Sequence, residues 1–283
     1  MGVLMFAVFR VGVLAGVVFG GMLLAEKNGF YMGGGFVYSP FVRHYNFKIG
    51  EKETPGFSFP EVQERHSGSL FGGSLQVGYQ YFLKKPSILG FRGYVRASAQ
   101  GGNYAYLTYG RDVDNVDNIL AKQNATQPMA SFFYGAGLDI LIDFYHKNTH
   151  SFGIFVGGFV GGSTWLLGKS YASDKTCQTQ IPFKPRACVS ANEVWEHMAG
   201  LINLKGNSAE FKITGVQAGI QIGLRTNITK HQSFEMGGRV FFIPLTYYKE
   251  NDHNKWGNYD KGGYGVITLQ RTMSLFVNYF YHF

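Results

Sequence analysis

The last fifteen residues, Leu269–Phe283, read LQRTMSLFVNYFYHF, and their reading decides the fold. Met273, Leu275, Val277, Tyr279, Tyr281 and Phe283 recur at a spacing of two, which puts them on one face of an extended chain. Thr272, Ser274, Phe276, Asn278, Phe280 and His282 take the other face. An unbroken apolar face opposite a mixed one suits a wall between lipid and an enclosed lumen. A core strand of a soluble sandwich alternates in the same way, so the rest of the chain must choose between the two.

Composition leans toward the wall. The chain has 283 residues with 39 glycines, 17% aromatic and only 16% charged residues, which fits barrel strands better than a helical fold. Mean hydropathy is −0.06, which argues against a bundle of membrane-spanning helices. The formal charge of +8 is spread along the chain without a Lys/Arg run, so no nucleic-acid partner is expected. An acidic outer surface such as lipopolysaccharide suits that charge better.

At the N-terminus, the apolar run Val11–Leu24 follows Arg10, and Ala25 precedes the polar Glu26-Lys27-Asn28. This reads as a signal peptide over residues 1–25, leaving 26–283 as the mature barrel. An uncleaved anchor is the alternative, but the run is shorter than the ~20 residues a spanning helix needs. No long apolar run follows it, so any further crossing must use strands.

Period-two segments then recur in a fixed rhythm of strand, long polar stretch, strand, short turn. They are expected near 29–38, 70–83, 89–100, 132–145, 152–165, 211–225, 232–247 and 269–283. Short turns fall at Lys84–Ser87, His146–His150 and Thr226–His231. The long connections include Ser39–Ser67, the stretch before Ala130, and Leu166–Glu210. In the last of these, Val194, Trp195, Met198, Leu201 and Ile202 have the spacing of a short amphipathic helix. The faces of the fifth strand, rich in Phe, Val and Gly, stay unassigned, and Pro244 marks a bulge or strand end.

This predicts an all-β fold: an eight-stranded antiparallel transmembrane barrel with four long extracellular loops and three short periplasmic turns. A soluble lipocalin-like barrel is the rival. It would put the apolar faces inside, whereas here the charges share the face opposite the apolar wall. Aromatic pairs near strand ends, Tyr79 with Tyr81, Phe144 with Tyr145, Tyr247 with Tyr248 and Tyr279 with Tyr281, suggest interfacial girdles.

The order of motifs along the chain resembles the Helicobacter outer membrane protein family, which includes adhesins and porins. The likeness starts at Glu26-Lys27-Asn28-Gly29-Phe30-Tyr31 and continues through Gly78-Tyr79 and Gly90-Phe91-Arg92-Gly93-Tyr94. It runs on through Gly135-Ala136-Gly137-Leu138-Asp139, Gly162-Ser163-Thr164-Trp165 and Gly223-Leu224-Arg225-Thr226-Asn227-Ile228. Phe234-Glu235-Met236-Gly237, Tyr247-Tyr248-Lys249 and the terminal strand complete it. These motifs cover nearly every expected strand and little of the loops. Phe242-Ile243-Pro244 departs from the family's Lys-Ile-Pro. The resemblance implies an outer-membrane location and a barrel. Adhesins of the family carry a receptor-binding insertion between the first two barrel strands, and Ser39–Ser67 is far too short for one.

The functional candidates follow from this frame. Arg92, Arg96, Asp139, Asp143, Gln217, Gln221, Arg225, Glu235 and Arg239 share the inward face. In so narrow a barrel they are expected to pair into a plug of ionic contacts, with a gated ion path as the rival. Cys177 and Cys188 read as one disulfide in an exported chain. The alternatives are two free thiols or a metal pair, for which no further His or Cys lies nearby. Phe283 is the expected signal for outer-membrane assembly machinery.

No catalytic, cofactor or metal site is expected. His44, His66, His197 and His253 are loop histidines without a Ser/His/Asp or metal-ligand spacing around them. Trp195, Trp256 and the cysteine loop are the features most suited to a surface contact. Expected partners are outer-membrane lipid and lipopolysaccharide, the assembly machinery and a host surface ligand. The expected function is a surface-exposed membrane protein of structural or interaction type, with a narrow porin as second reading and a lipid-modifying enzyme as third.

Overall fold

A computed structural model describes residues 28–48, 62–83, 88–111, 119–147, 150–181, 187–204, 207–251 and 263–283. The expected signal segment 1–25, the turn at Lys84–Ser87, His253 and Trp256 lie outside the described residues. In chain order the elements are β1 (Gly29–Lys48), β2 (Val62–Phe82), β3 (Leu89–Arg111), β4 (Ile119–Lys147), β5 (His150–Leu167) and β6 (Tyr171–Ala172). They continue with α1 (Ala191–Leu204), β7 (Ser208–Phe211), β8 (Thr214–Asn227), β9 (Gln232–Phe241), β10 (Leu245–Asn251), β11 (Tyr264–Arg271) and β12 (Met273–His282).

Eight strands close a ring. The order β12-β9-β8-β5-β4-β3-β2-β1 is antiparallel throughout, and β1 pairs back onto β12 from Tyr31↔His282 to Tyr38↔Leu275. Closure leaves the eight-stranded ring without an edge, which a sheet must do where lipid offers no hydrogen bonds. The last residue joins the closure, its N–H donating to the Phe30 carbonyl at 3.0 Å.

In the half of the ring nearest the termini, the outward face is apolar. Phe71, Leu75, Val77, Tyr79 and Tyr81 on β2, and Val216, Ile220, Ile222 and Leu224 on β8, are all exposed. Leu138 on β4 is 73% exposed, while Arg92 and Arg239 on the opposite faces of their strands are 3% exposed. From Phe71 to Tyr81 the chain takes ten steps. At ~3.4 Å per step and ~45° tilt that is roughly 24 Å, the height of the apolar band of an outer-membrane barrel. Aromatic pairs rim the terminal end, Phe30 on Tyr79 at 5.0 Å and Phe234 on Tyr279 at 5.2 Å between ring centroids.

The other half departs from expectation. The stretches read as long loops continue as strand: β1 and β2 stay paired to Phe47↔Val62, and β3 and β4 to Arg111↔Ile119. The period of two simply runs on beyond the apolar band, with Phe41, Arg43 and Tyr45 turned inward and His44 outward. The outer face here is polar, with Arg65, Asn103, Asn124, Thr126, Thr246 and Lys249 exposed. The expected seventh strand breaks at Phe242-Ile243-Pro244, and the sixth breaks after Phe211. Tyr247 and Tyr248, read as girdle residues, are instead fully buried. A register shift between Thr246 and Tyr248 turns both inward.

α1 forms where the helical spacing predicted it. A reciprocal cap starts it: Ser190 N donates to Glu193 Oε2 at 2.7 Å, and Glu193 N donates to Ser190 Oγ at 3.3 Å. Asn192 Oδ1 accepts from Leu167 N and from Tyr247 Oη, both at 2.9 Å, fixing the first turn to β5 and β10. Asn203 fixes the last turn to β7, donating to the Ala209 carbonyl at 2.9 Å and accepting from its N–H at 2.8 Å.

Candidate functional site: the filled lumen

Inward positions alternate guanidinium, amide and ring. Arg92 donates from Nε and Nη2 to Asp139 Oδ2 at 2.9 and 2.6 Å, and from Nη1 to Glu235 Oε1. Gln221 Nε2 donates to both Asp139 oxygens at 2.8 and 3.1 Å, and its Oε1 accepts from Arg96 Nη1 and Arg239 Nε, each at 3.0 Å. Cross-strand register explains the grouping: Arg92 faces Asp139, and Gln221 faces Arg239.

Rings occupy the space between the charges. Arg92 lies 4.9 Å from the Phe155 centroid, Arg96 4.8 Å from Phe159, and Arg239 3.7 Å from Phe276. A cation over an aromatic face is attracted most strongly when both are out of water. Phe155 and Phe159 belong to β5, whose faces the sequence left unassigned. The narrow bore also explains an inward glycine. A Cβ on Gly157 would collide with the Asp139 carboxylate and the Leu138 carbonyl.

Asp143 and Arg225 face each other near the terminal end with 3.9 Å between Oδ1 and Nε, too long for a hydrogen bond. Gln217 sits higher, donating to the Ile243 carbonyl at 3.2 Å. Every expected lumen residue is therefore inside, and six of them, Arg92, Arg96, Asp139, Gln221, Glu235 and Arg239, join one hydrogen-bonded set.

Arg271 was missed. Counting back by twos from Met273 puts it on the lipid face, but β11 and β12 are separated at Thr272 and the phase changes there. Arg271 is buried, donating from Nη2 to Ser131 Oγ at 2.6 Å. An arginine in an otherwise apolar lipid-facing series was the available warning, since a charge there is costly.

Above this layer the lumen is lined largely by rings and aliphatic side chains. One apolar cluster takes Phe41, Leu70, Tyr104, Met129, Trp165, Tyr247, Ile267 and Leu269 from strands around the ring, and α1 adds Ala191 and Ala199. Trp195 and Met198 pack against it, Trp195 lying 4.6 Å from the Tyr248 ring centroid. Trp195 thus serves self-packing at the mouth. Cys177 and Cys188 form a disulfide with Cα atoms 5.9 Å apart, in the loop that leads into α1. That loop is tied to β4 through β6 at Ala125↔Ala172.

The remaining candidates do not converge. His44 is exposed on β1, His66 is half-buried on β2, and His197 lies on α1. Among the described residues no group of three His, Cys, Asp or Glu could hold a metal ion. Ser233 Oγ and His282 Nε2 lie 2.7 Å apart, the reach of a nucleophile and its base. Ser233, however, is completely buried, so no substrate can reach it as the barrel stands.

Several solved structures are similar. The outer membrane protein OprG from Pseudomonas aeruginosa matches at 12% identity and a TM-score of 0.39, over 91% of this chain and 97% of that one. Neisserial surface protein A matches at 10% identity and a TM-score of 0.32, over 89% and 99%. The outer membrane protease OmpT from Escherichia coli matches at 8% identity and a TM-score of 0.35, over 93% and 99%. At these values none of their activities transfers. No curated protein matches the sequence. The model of the family described as Helicobacter outer membrane protein matches residues 74–283, from inside β2 to the last residue. The chain therefore belongs to the Helicobacter outer membrane protein family and is an integral protein of the bacterial outer membrane.

Proposed function

We propose that this protein is a non-conducting barrel whose function lies outside the membrane, in the platform built by the strand extensions and α1. The observation that carries this reading is the filled lumen. Among the described residues an ionic layer occupies the membrane half and an aromatic cluster lies above it, which supports a bore closed to solutes. The platform is fastened by a disulfide and by Asn192 and Asn203, so it presents a fixed surface for a host or lipopolysaccharide ligand. In this reading the C-terminal strand ending at Phe283 engages the assembly machinery. Lipid covers the apolar band.

Planar-bilayer recording of the folded protein tests the closed lumen. The expected result is no steady conductance, and a large steady conductance would overturn the reading in favour of a narrow porin. Binding of intact barrels to host cells or lipopolysaccharide should persist until the connection 168–207 is replaced by a short turn. Binding that survives the replacement would move the ligand site elsewhere. An enzyme acting on lipid has less support, because Ser233, the would-be nucleophile of its best pair with His282, is buried.

A further inference from the structure

Glu235 passes over its nearest cation. On β9 its cross-strand neighbours are Arg225 on β8 and Asn278 on β12. Arg225 and Glu235 both point inward, and residues directly opposite on one face hold their Cβ atoms about 5 Å apart. The Glu235 carboxylate nevertheless crosses the lumen and accepts from Arg92 Nη1 on β3. β9 and β3 lie four strands apart in either direction round the ring, so this contact is a bar across the bore.

Arg225 bears the consequence. It is 1% exposed, and among the described residues none of its guanidinium nitrogens has a hydrogen-bond acceptor. Asp143 stops 3.9 Å short of Arg225 Nε, and both of its carboxylate oxygens are buried without a donor. Phe82 lies 5.2 Å from the guanidinium and offers it a ring face, not an acceptor. A buried cation left in this state is costly. Arg92 is doubly supplied by contrast. Its Nε and Nη2 donate to Asp139 Oδ2 at 2.9 and 2.6 Å, and Nη1 takes Glu235 in addition. Without Glu235, Arg92 stays paired. With Glu235, Arg225 gains its first acceptor. Each placement of the carboxylate serves one arginine at a cost to the other, a balance that suits two states of similar energy.

We propose that Glu235 is a two-position switch, swinging between Arg92 across the lumen and Arg225 on the neighbouring strand, so that the ionic layer is alternately barred and unbarred. In the second position the carboxylate lies along the wall, and β9 gives up its direct tie to β3. Gln221 still joins Asp139, Arg96 and Arg239, and the outer aromatic cluster is untouched. The switch is therefore separate from the closed-lumen reading. Steady conductance would defeat that reading and leave the switch to its own test.

Nitrogen relaxation dispersion on the arginine side chains of the folded barrel in micelles tests it, with Arg225→Lys identifying the Arg225 Nε signal. In wild type that signal should exchange between bonded and unbonded environments on the microsecond-to-millisecond scale. Glu235→Ala should abolish the exchange. Arg92→Gln should shift the balance toward the bonded Arg225 by about tenfold, the effect of losing one charge-assisted hydrogen bond on the other side. A wild-type Arg225 signal without exchange would overturn the proposal. So would exchange that persists in Glu235→Ala, because Asp143 closing on Arg225, or water passing between them, would then be its cause. An Arg225 signal unmoved by Arg92→Gln would overturn it as well. Should Arg92→Gln fail to fold, Arg92→Lys takes its place, keeping a cation for Asp139 without the fork that also reaches Glu235. The wild-type measurement needs no variant to refute the switch.

Discussion

The two halves of this barrel solve opposite solvent problems with one continuous set of strands. Near the termini Leu138, Ile220 and Ile222 face outward and Arg92, Arg96 and Asp139 face inward. Beyond the apolar band the same strands turn Phe41, Tyr104 and Trp165 inward and leave Arg65, Asn103 and Asn124 outside. Because the hydrophobic effect follows the surrounding medium, the lower half is an inverted protein and the upper half an ordinary one. The difference shows where specificity is stored. The lower interior depends on exact ionic partners, whereas the upper interior depends on shape and apolar contact.

The largest effects should come from breaking each interior in its own way. Asp139→Ala removes the acceptor shared by Arg92 and Gln221 and leaves a buried cation short of a partner. Urea unfolding of the barrel in vesicles should show a loss of about 3–5 kcal/mol. Trp165→Ala should cost a similar ~3–5 kcal/mol through the cavity it leaves in the upper cluster. A small loss for Asp139→Ala would mean the ionic layer is already hydrated, which would blur the contrast between the halves.

Next come the outer faces. Ile222→Lys puts a charge into the acyl layer and should cost about 2–4 kcal/mol in the same assay. Thr246→Lys, on the outer face of β10, should stay within about 0.5 kcal/mol of wild type. Equal costs at the two positions would erase the boundary between the halves.

Replacing both Cys177 and Cys188 by Ser should cost about 2–3 kcal/mol of local stability. Amide exchange should rise in α1 while β8 and β12 stay protected.

The smallest effect is a pH dependence confined to the upper half. Burial, and then the nearby Arg43 guanidinium, hold the His66 imidazole below its usual range, and Glu64 opposes them from 3.4 Å. Tyr104 and Tyr106 flank the ring at 6.1 and 5.6 Å between centroids. A group with a depressed pKa contributes stability above its unfolded value, near 6.5 for His, and loses it as pH falls through the folded value. Exchange protection around β2 and β3 should therefore weaken under mild acid, and His66→Gln should remove that response.

The lower half was legible because its alternation is clean. β2, β4 and β8 carry apolar series opposite mostly polar ones, β12 carries one opposite a mixed face, and the faces follow from that alone. Three features were not legible. The phase change at Thr272 flips Arg271 and Leu269 inward, and no turn residue announces it. β5 puts Phe155 and Phe159 inside as lids over arginines, so its two faces look equally apolar. The upper extensions look like loops because their outer face is polar and their inner face mixes Arg43 and His66 with rings. The rule that finds a lipid-facing strand fails once the strand leaves lipid, although the period of two persists.

Tryptophan placed on β4 tests the inversion most directly. In a background without native tryptophan, Leu138→Trp and Thr126→Trp both point outward, one in each half. With barrels in vesicles of brominated-acyl lipid, the account predicts strong quenching at 138 with little response to aqueous iodide, and the reverse at 126. Quenching by lipid at both positions, or by iodide at both, would contradict it.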